Sequence, residues 1–172
     1  DMCAAPGGKS LILLESIITG QLWCNEISQA RRHKLKNVIQ EYAPKSSREH
    51  VFIKGKDGNR YGLMYPDTFD KILVDAPCSG ESHLINSMTE LEKWSLTRTK
   101  RLSKNQYSLL CSALLSCKPG GSIVYSTCSI SHYENDDVIE RLLNKKSQLV
   151  TLDLPQIELP GIEKTKFGYI FL

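Results

Sequence analysis

Short apolar segments alternate with segments of helical periodicity along most of this chain. The apolar segments cover residues 21–27, 51–53, 69–75 and 122–127, and the helical segments cover residues 9–19, 28–44, 102–117 and 134–144. Such alternation is typical of strands and helices that follow one another in a mostly parallel, doubly wound sheet. The sequence therefore predicts an α/β protein with a Rossmann-like fold.

The two ends of the chain fit this pattern less well. A glycine turn at residues 3–9 arrives before any segment that could form the strand leading into it, and Asp1 is not an initiator methionine. At the other end, residues 149–154 and 169–172 are predicted to form a last antiparallel pair of strands. We expect residues 1–172 to be one domain that lacks its first strand, as a fragment incomplete at both ends.

The composition restricts the broad class of protein. The 172 residues are 41% hydrophobic and carry a net charge of +3, which supplies enough apolar material for a core and excludes a disordered chain. No apolar run approaches the roughly 18 residues of a transmembrane helix, so no membrane association is expected. The six cysteines contain no C-x-x-C pair, which predicts no structural metal and a reducing intracellular compartment.

Three short motifs follow predicted strands. They are CAAPGGK at residues 3–9, VDAPCS at residues 74–79 and YSTCS at residues 125–129. The carboxyl ends of parallel strands meet at one edge of a sheet, where open α/β folds bind ligands. Asp75, Cys78 and Cys128 are therefore expected at this edge, and a thiol beside an acid supplies a soft nucleophile.

The glycine turn is a candidate nucleotide site. Gly7 and Gly8 let the chain bend where a strand enters a helix, so that backbone N–H groups face a ligand at the positive helix end. Glu26, at the end of the next strand, is placed to hold ribose hydroxyls. Asp57, after the third strand, is placed to accept from an adenine amino group, although a turn-forming role is preferred for this acid alone.

A phosphate loop is the main alternative for the same turn. Residues 3–10 nearly match G-x-x-x-x-G-K-[ST], and residues 71–75 imitate the apolar strand that ends in a magnesium-binding aspartate. Cys3, however, stands at the first glycine position, and Pro6 removes one N–H that would bind phosphate. A nucleotide triphosphatase would also leave the two later thiols without a chemical role, so this interpretation comes second.

The three motifs, in this order, resemble those of the Sun-domain RNA cytosine-5 methyltransferases over residues 1 to about 137. The resemblance implies a class I methyltransferase fold that transfers a methyl group from S-adenosylmethionine to C5 of cytosine in RNA. The residues alone leave open which thiol attacks; the resemblance implies that Cys128 is the nucleophile and that Cys78 assists release. Asp75 would contact the cytosine N3/N4 edge, and Lys9 would orient that acid or the base. The residues expected to bind the cofactor are Cys3, Ala4, Ala5, Pro6, Gly7, Gly8, Lys9, Glu26, Asp57 and Asp75.

Residues 57–62 resemble the mitochondrial members of that family more than the nucleolar ones. This implies the mitochondrial matrix, with cytoplasm or nucleus as alternatives, and RNA (ribosomal or transfer) as the partner, with a protein partner supplying RNA affinity. A basic cluster suited to phosphate contact follows the second motif and contains Lys93, Arg98, Lys100, Arg101 and Lys104. A catalytically silent RNA-binding scaffold stays open beside the triphosphatase.

Overall fold

The computed structural model describes residues 1–80 and 95–171. Its helices are α1 (Gly8–Glu15), α2 (Gln29–Tyr42), α3 (Tyr61–Met64), α4 (Leu96–Ser116) and α5 (Asp136–Lys146). Its strands are β1 (Leu22–Asn25), β2 (Val51–Lys54), β3 (Phe69–Asp75), β4 (Cys117–Ser126), β5 (Ile162–Lys164) and β6 (Tyr169–Phe171). Short 3₁₀ helices cover Lys45–His50, Gly58–Arg60 and His132–Glu134. Lys93 of the predicted basic cluster and Leu172 lie outside the described residues.

The chain divides into two compact units. The first unit comprises residues 1–76 and 109–126, and the second comprises residues 77–108 and 127–172. Strands β1 to β4 and helices α1 to α3 belong to the first unit, whereas α5 and the β5–β6 pair belong to the second. Helix α4 contributes residues to each unit.

Two parallel strand pairs form the sheet structure of the first unit. β1 pairs with β2, with Leu22 opposite Val51, and β3 pairs with β4, with Leu73 opposite Val124. Parallel neighbours need long crossover connections, and here α2 lies in the first connection and α4 in the second. This arrangement confirms the predicted Rossmann-like α/β fold.

The first four residues join the two parallel pairs. On one side, Asn25 donates its N–H to the Asp1 carbonyl at 2.9 Å, and Ala4 donates to the Asn25 carbonyl at 2.8 Å. On the other side, Met2 donates its N–H to the Leu73 carbonyl at 2.9 Å. The segment therefore lies between β1 and β3, at the position expected for the end of the strand that leads into the glycine turn.

Two apolar clusters form the core of the first unit. The buried members of the first include Met2, Tyr61, Ile72, Val74, Leu109 and Ala113, and those of the second include Ala4, Leu14, Leu22, Cys24, Leu35 and Ile39. Separate clusters of this kind are what a sheet covered on both faces requires. The i, i+4 spacing of the buried residues Leu35 and Ile39 in α2 and Leu109 and Ala113 in α4 agrees with the helical periodicity of residues 28–44 and 102–117.

Helix boundaries differ from the prediction where a hydroxyl side chain ends or starts a helix. The Ser28 hydroxyl caps α2 by accepting the Arg31 N–H, at the start of the helical segment predicted for residues 28–44. The Ser95 hydroxyl accepts the Arg98 N–H at 3.2 Å, and so α4 begins six residues earlier than expected. The Ser16 hydroxyl donates to the Leu13 carbonyl, a local bond that competes with helix continuation. Helix α1 accordingly stops at Glu15.

The predicted strand at residues 149–154 is wrong. These residues form no strand, and β6 instead pairs antiparallel with β5, with Glu163 opposite Ile170. A tight connection favours this pairing, because the Thr165 N–H donates to the Gly168 carbonyl at 2.9 Å. The Asp136 carboxylate then fixes the turn to the start of α5, where it accepts from the Thr165 hydroxyl at 2.8 Å.

Candidate active site

The glycine turn between the first four residues and α1 is held in a conformation that only glycine adopts without strain. Gly7 has a φ of 125°, and a Cβ at this position would lie 2.9 Å from Cγ1 of Val38. Gly8 differs, because a Cβ there would meet no protein atom within 4 Å. The turn is therefore packed against α2 at Gly7 and open at Gly8.

A cleft of about 330 Å³ lies against this turn. Its lining consists of residues 4–9 together with Asp1, Ile12 and Asp75. The structure thus brings seven of the predicted site residues to one surface, Ala4, Ala5, Pro6, Gly7, Gly8, Lys9 and Asp75. The three other residues predicted to bind the cofactor, Cys3, Glu26 and Asp57, do not line this cleft, and neither do Cys78 and Cys128.

Both oxygens of the Asp75 carboxylate have partners. The Lys9 ammonium donates to Oδ2 at 2.8 Å, and the Ser126 hydroxyl donates to Oδ1 at 2.8 Å. The Asp75 side chain keeps 29% of its surface exposed, so the carboxylate is oriented by the protein and still accessible from the cleft. The predicted pairing of Lys9 with Asp75 is present in the structure.

Glu26 is buried behind the turn. Its Oε1 accepts the Ser28 N–H at 2.8 Å, and its Oε2 lies 3.5 Å from the Arg31 guanidinium. Arg31 also donates to the Ala5 carbonyl at 2.7 Å, so it ties Glu26 to the glycine turn. Sequence analysis missed this role of Arg31. The only available signal was its place in the first turn of the helix that follows Glu26.

Asp57 and Cys3 occupy structural positions. The Asp57 Oδ1 accepts from the N–H and the side-chain amide of Asn59, both at 3.0 Å, and so caps a 3₁₀ helix. Burial, followed by the carboxylates of Glu26 and Asp75, raises the pKa of the Cys3 thiol to about 12. A thiol with so high a pKa is a poor nucleophile at neutral pH.

In the second unit, the structure joins Cys78 and Cys128 by a disulfide. Their Cα atoms lie 6.1 Å apart, and the Cys128 N–H also points to the Cys78 sulfur at 3.2 Å. The other four cysteines are free. The motifs predicted that these two thiols matter, but not that they are in bonding distance. A thiolate is the nucleophilic form of cysteine, so any chemistry at this pair requires it reduced.

Three polar residues around the cysteine pair were missed by the sequence analysis. Gln106 and Glu134 are fully buried, and Asn135 follows Glu134 at the start of α5. Gln106 lies within the long helix α4, and the pattern of apolar residues gave no reason to single it out. A buried amide and a buried carboxylate are recognisable only once the tertiary structure is known.

Over residues 1–80 and 95–171, no group of three or more histidine, cysteine, aspartate or glutamate side chains is arranged to hold a metal ion. No described helix combines the length and the apolar character needed to cross a bilayer.

Comparison with known proteins gives matches across nearly the whole chain. The mitochondrial tRNA (cytosine(34)-C(5))-methyltransferase of Danio rerio is 42% identical over 166 residues, which cover 95% of this chain and 43% of that protein. The 5-cytosine rRNA methyltransferase NSUN4 of Mus musculus is 39% identical over 147 residues, which cover 81% of this chain and 38% of that protein. Ribosomal RNA small subunit methyltransferase F of Aeromonas salmonicida is 36% identical over 173 residues, which cover 99% of this chain and 36% of that protein.

A solved structure, that of NSun6 from Pyrococcus horikoshii with SFG, aligns with a TM-score of 0.69 at 30% identity and covers 84% of this chain and 36% of that one. The chain spans less than half the length of the curated relatives named above. The family described as 16S rRNA methyltransferase RsmB/F matches residues 1–169. The chain therefore belongs to the RsmB/F methyltransferase family, which confirms the resemblance to Sun-domain RNA cytosine-5 methyltransferases.

Proposed function

We propose that residues 1–172 form the catalytic domain of an enzyme that methylates C5 of cytosine in RNA, with S-adenosylmethionine as the methyl donor. The observation that carries this proposal is the pair of thiols, Cys78 and Cys128, within bonding distance of each other. One nucleophile suffices for most covalent catalysis, whereas addition to a pyrimidine and later elimination benefit from a second acid–base group. The names of the relatives support the same reaction.

The cleft of the first unit suits the methyl donor. Its volume of about 330 Å³ lies within the range of roughly 300–1,000 Å³ of small-molecule sites. A side chain at Gly8 would enter free space beside the turn, so glycine keeps the approach to the backbone N–H groups of α1 open. When bound, S-adenosylmethionine supplies an electrophilic methyl group. A relative solved with SFG, an analogue of this donor, supports the assignment.

The other predicted cofactor contacts are proposals of the same kind. Glu26 would hold the ribose hydroxyls, and Arg31 and the Ser28 N–H fix its carboxylate beside the turn. Asp57 would approach the adenine, although its Oδ1 already accepts a hydrogen bond from the Asn59 N–H. The Cys3 contribution is limited to its backbone, because its thiol is held protonated.

The proposed chemistry assigns one covalent step to each thiol. The Cys128 thiolate adds to C6 of cytosine, and the electron pair of the C5–C6 double bond makes C5 nucleophilic toward the methyl group that S-adenosylmethionine would supply, with adenosylhomocysteine as the leaving group. Cys78, as a thiolate, then takes the C5 proton. The electron pair of that C–H bond reforms the double bond while the C6–S bond breaks, which regenerates the Cys128 thiolate.

Asp75 and Lys9 act on the base in this proposal. Asp75 would hydrogen-bond the N3/N4 edge of cytosine, where its carboxylate accepts from the N4 amino group and from a proton on N3, and this contact stabilises the charge that develops at that edge. Lys9 and the Ser126 hydroxyl keep the carboxylate in one orientation. In the sequence only Ala76 and Pro77 separate Asp75 from Cys78, so the acid and the second thiol stand on one short segment.

Methyl transfer to RNA from radiolabelled S-adenosylmethionine tests the proposal directly. The enzyme labels cytosine C5 only with the cysteine pair reduced. Calorimetry separates the two alternatives: a triphosphatase binds magnesium-ATP and not adenosylhomocysteine, whereas a silent scaffold binds RNA and transfers no methyl group. Neither alternative is supported by the family to which the chain belongs.

Substrate and location follow from the relatives by the same reasoning. Relatives with about 40% identity include a mitochondrial tRNA enzyme and an rRNA enzyme, so we propose transfer or ribosomal RNA as substrate, the mitochondrial matrix as location and a protein partner that adds RNA affinity. Sequencing of 5-methylcytosine in cellular RNA after loss of the protein identifies the target. Lost sites confined to cytoplasmic RNA would contradict the proposed location.

A further inference from the structure

We propose that Glu134 and Asn135 are positioning residues that hold the Cys78 and Cys128 segments in register for their two chemical steps. The assignment of the steps rests on the proposed function. The positioning itself rests on hydrogen bonds within the second unit, which reach the residues on both sides of each cysteine.

The Cys78 segment is held by Glu134 and Gln106. The Glu134 carboxylate accepts the Ser79 N–H with both oxygens, at 3.0 and 3.3 Å. The Gln106 side-chain amide donates to the Pro77 carbonyl and to Glu134 Oε2, both at 2.9 Å. The backbone is therefore anchored one residue before Cys78 and one residue after it.

The Cys128 segment is held in the same way by Asn135. The Asn135 Oδ1 accepts from the Thr127 hydroxyl at 2.6 Å, and its Nδ2 donates to the Ser129 carbonyl at 2.8 Å. The Ser129 N–H completes the arrangement by donating to the Thr127 hydroxyl oxygen at 3.2 Å. One side chain thus contacts the residues on both sides of Cys128, and it needs both an acceptor and a donor to do so.

Burial makes the first set of contacts hard to replace. Glu134 and Gln106 have no exposed surface, and a buried carboxylate is costly unless N–H groups donate to it. A hydroxyl pair, Ser79 Oγ and Ser129 Oγ at 3.4 Å, also links the two segments. Because Glu134 and Asn135 are consecutive, a single point at the start of α5 sets the positions of both thiols.

The first test measures how close the thiols are held, without RNA or cofactor. In a glutathione redox buffer the two thiols exchange with glutathione disulfide, forming the Cys78–Cys128 bond and releasing two glutathione thiols. The equilibrium constant reports the effective concentration of one thiol at the other. We expect Asn135→Ala and Glu134→Gln to lower it by about tenfold, the factor for loss of one buried hydrogen bond.

Asp137→Asn is the matched control, because Asp137 lies on the same helix turn and its carboxylate pairs with the exposed His132 imidazole at 3.2 Å. Its equilibrium constant should match that of the unaltered protein. Equal constants for all variants, in folded proteins with similar melting temperatures, would overturn the proposal. If Glu134→Gln does not fold, Asn135→Ala decides the question, since Asn135 is only partly buried.

The second test separates positioning from general stability. Asn135→Ala should slow formation of the covalent RNA adduct, because it loosens the attacking thiol. Glu134→Gln should let the adduct form and then accumulate, because it loosens the thiol that assists release. Equal slowing of both steps would contradict separate positioning. If even the unaltered protein transfers no methyl group, the proposed function fails while the redox equilibrium still decides the positioning.

Discussion

The cleft at the glycine turn of the first unit and the cysteine pair of the second are built in different ways. The cleft is lined mainly by consecutive residues, 4–9, and its shape depends on backbone conformation at Gly7. The cysteine pair depends on side chains from several distant segments, among them Gln106, Glu134 and Asn135. Local backbone geometry thus shapes the cleft, whereas long-range side-chain contacts hold the cysteine pair. Substitutions in one region should therefore leave the other intact.

The largest effects should come from the two cysteines, and they should spare cofactor binding. We expect Cys128→Ala to abolish both methylation and the covalent RNA adduct, because no thiolate remains to add to C6. Cys78→Ala should transfer one methyl group and then stall with RNA attached. A denaturing gel shift with substrate RNA measures the covalent protein–RNA adduct in both variants. A stable adduct from Cys128→Ala and none from Cys78→Ala would reverse the assignment.

Loss of the Asp75 carboxylate should have the next largest effect. Asp75→Ala removes the group that stabilises charge on the ring, which by analogy with oxyanion-hole donors lowers the rate on the order of 10²–10³-fold. Lys9→Ala should cost less, because the Ser126 hydroxyl still orients Asp75. The rate of single-turnover methyl transfer measures the loss in both variants. A larger loss from Lys9→Ala than from Asp75→Ala would mean that the lysine acts on the base itself.

Two adjacent glycines should respond in opposite ways. Gly7→Ala introduces a Cβ at a φ of 125° and 2.9 Å from Val38, so we expect the free energy of unfolding to fall by about 1–3 kcal/mol. Gly8→Ala meets no protein atom and should keep the melting temperature. It should nevertheless weaken S-adenosylmethionine binding, and calorimetry measures this loss. Unchanged binding by Gly8→Ala would show that the donor does not approach this turn.

The smallest effect concerns the Cys3 thiol. With a pKa of about 12, the thiolate fraction at pH 8 is about 10⁻⁴, so iodoacetamide should modify Cys3 far more slowly than the reduced and exposed Cys128. Because ionisation needs a pH near 12, the rate at Cys3 should keep rising with pH above 9. Mass spectrometry after timed alkylation checks this. Rapid modification of Cys3 at pH 8 would contradict the burial of its thiol.

The parts of the molecule that sequence predicts well are those set by local chemistry. The alternation of apolar runs and helical stripes predicted the parallel fold, and Ser28 predicted the start of α2 because its hydroxyl caps the next residues of the chain. The turn at Gly7 could also be predicted from the sequence. The contacts of Gln106 and Glu134 could not be predicted from the sequence, because no periodic pattern indicates which polar residue of a helix is buried. The hairpin of β5 and β6 was misplaced because residues 149–154 are the more apolar candidate, whereas the turn closed by Thr165 and Gly168 pairs β6 with the nearer residues 162–164.

The position of the first four residues has a consequence for how the chain folds. Met2 bonds to Leu73 and Ala4 bonds to Asn25, so this segment, which precedes both strands in the chain, finds its second partner only after β3 has been synthesised. Until then residues 1–4, even when they are paired with β1, present an unpaired edge, and β3 in turn lacks β4 until residues 117–126 are made. Pairing of distant segments is slow, and open edges invite association with other chains. Nascent chains paused before β3 should therefore be the species that chaperones retain.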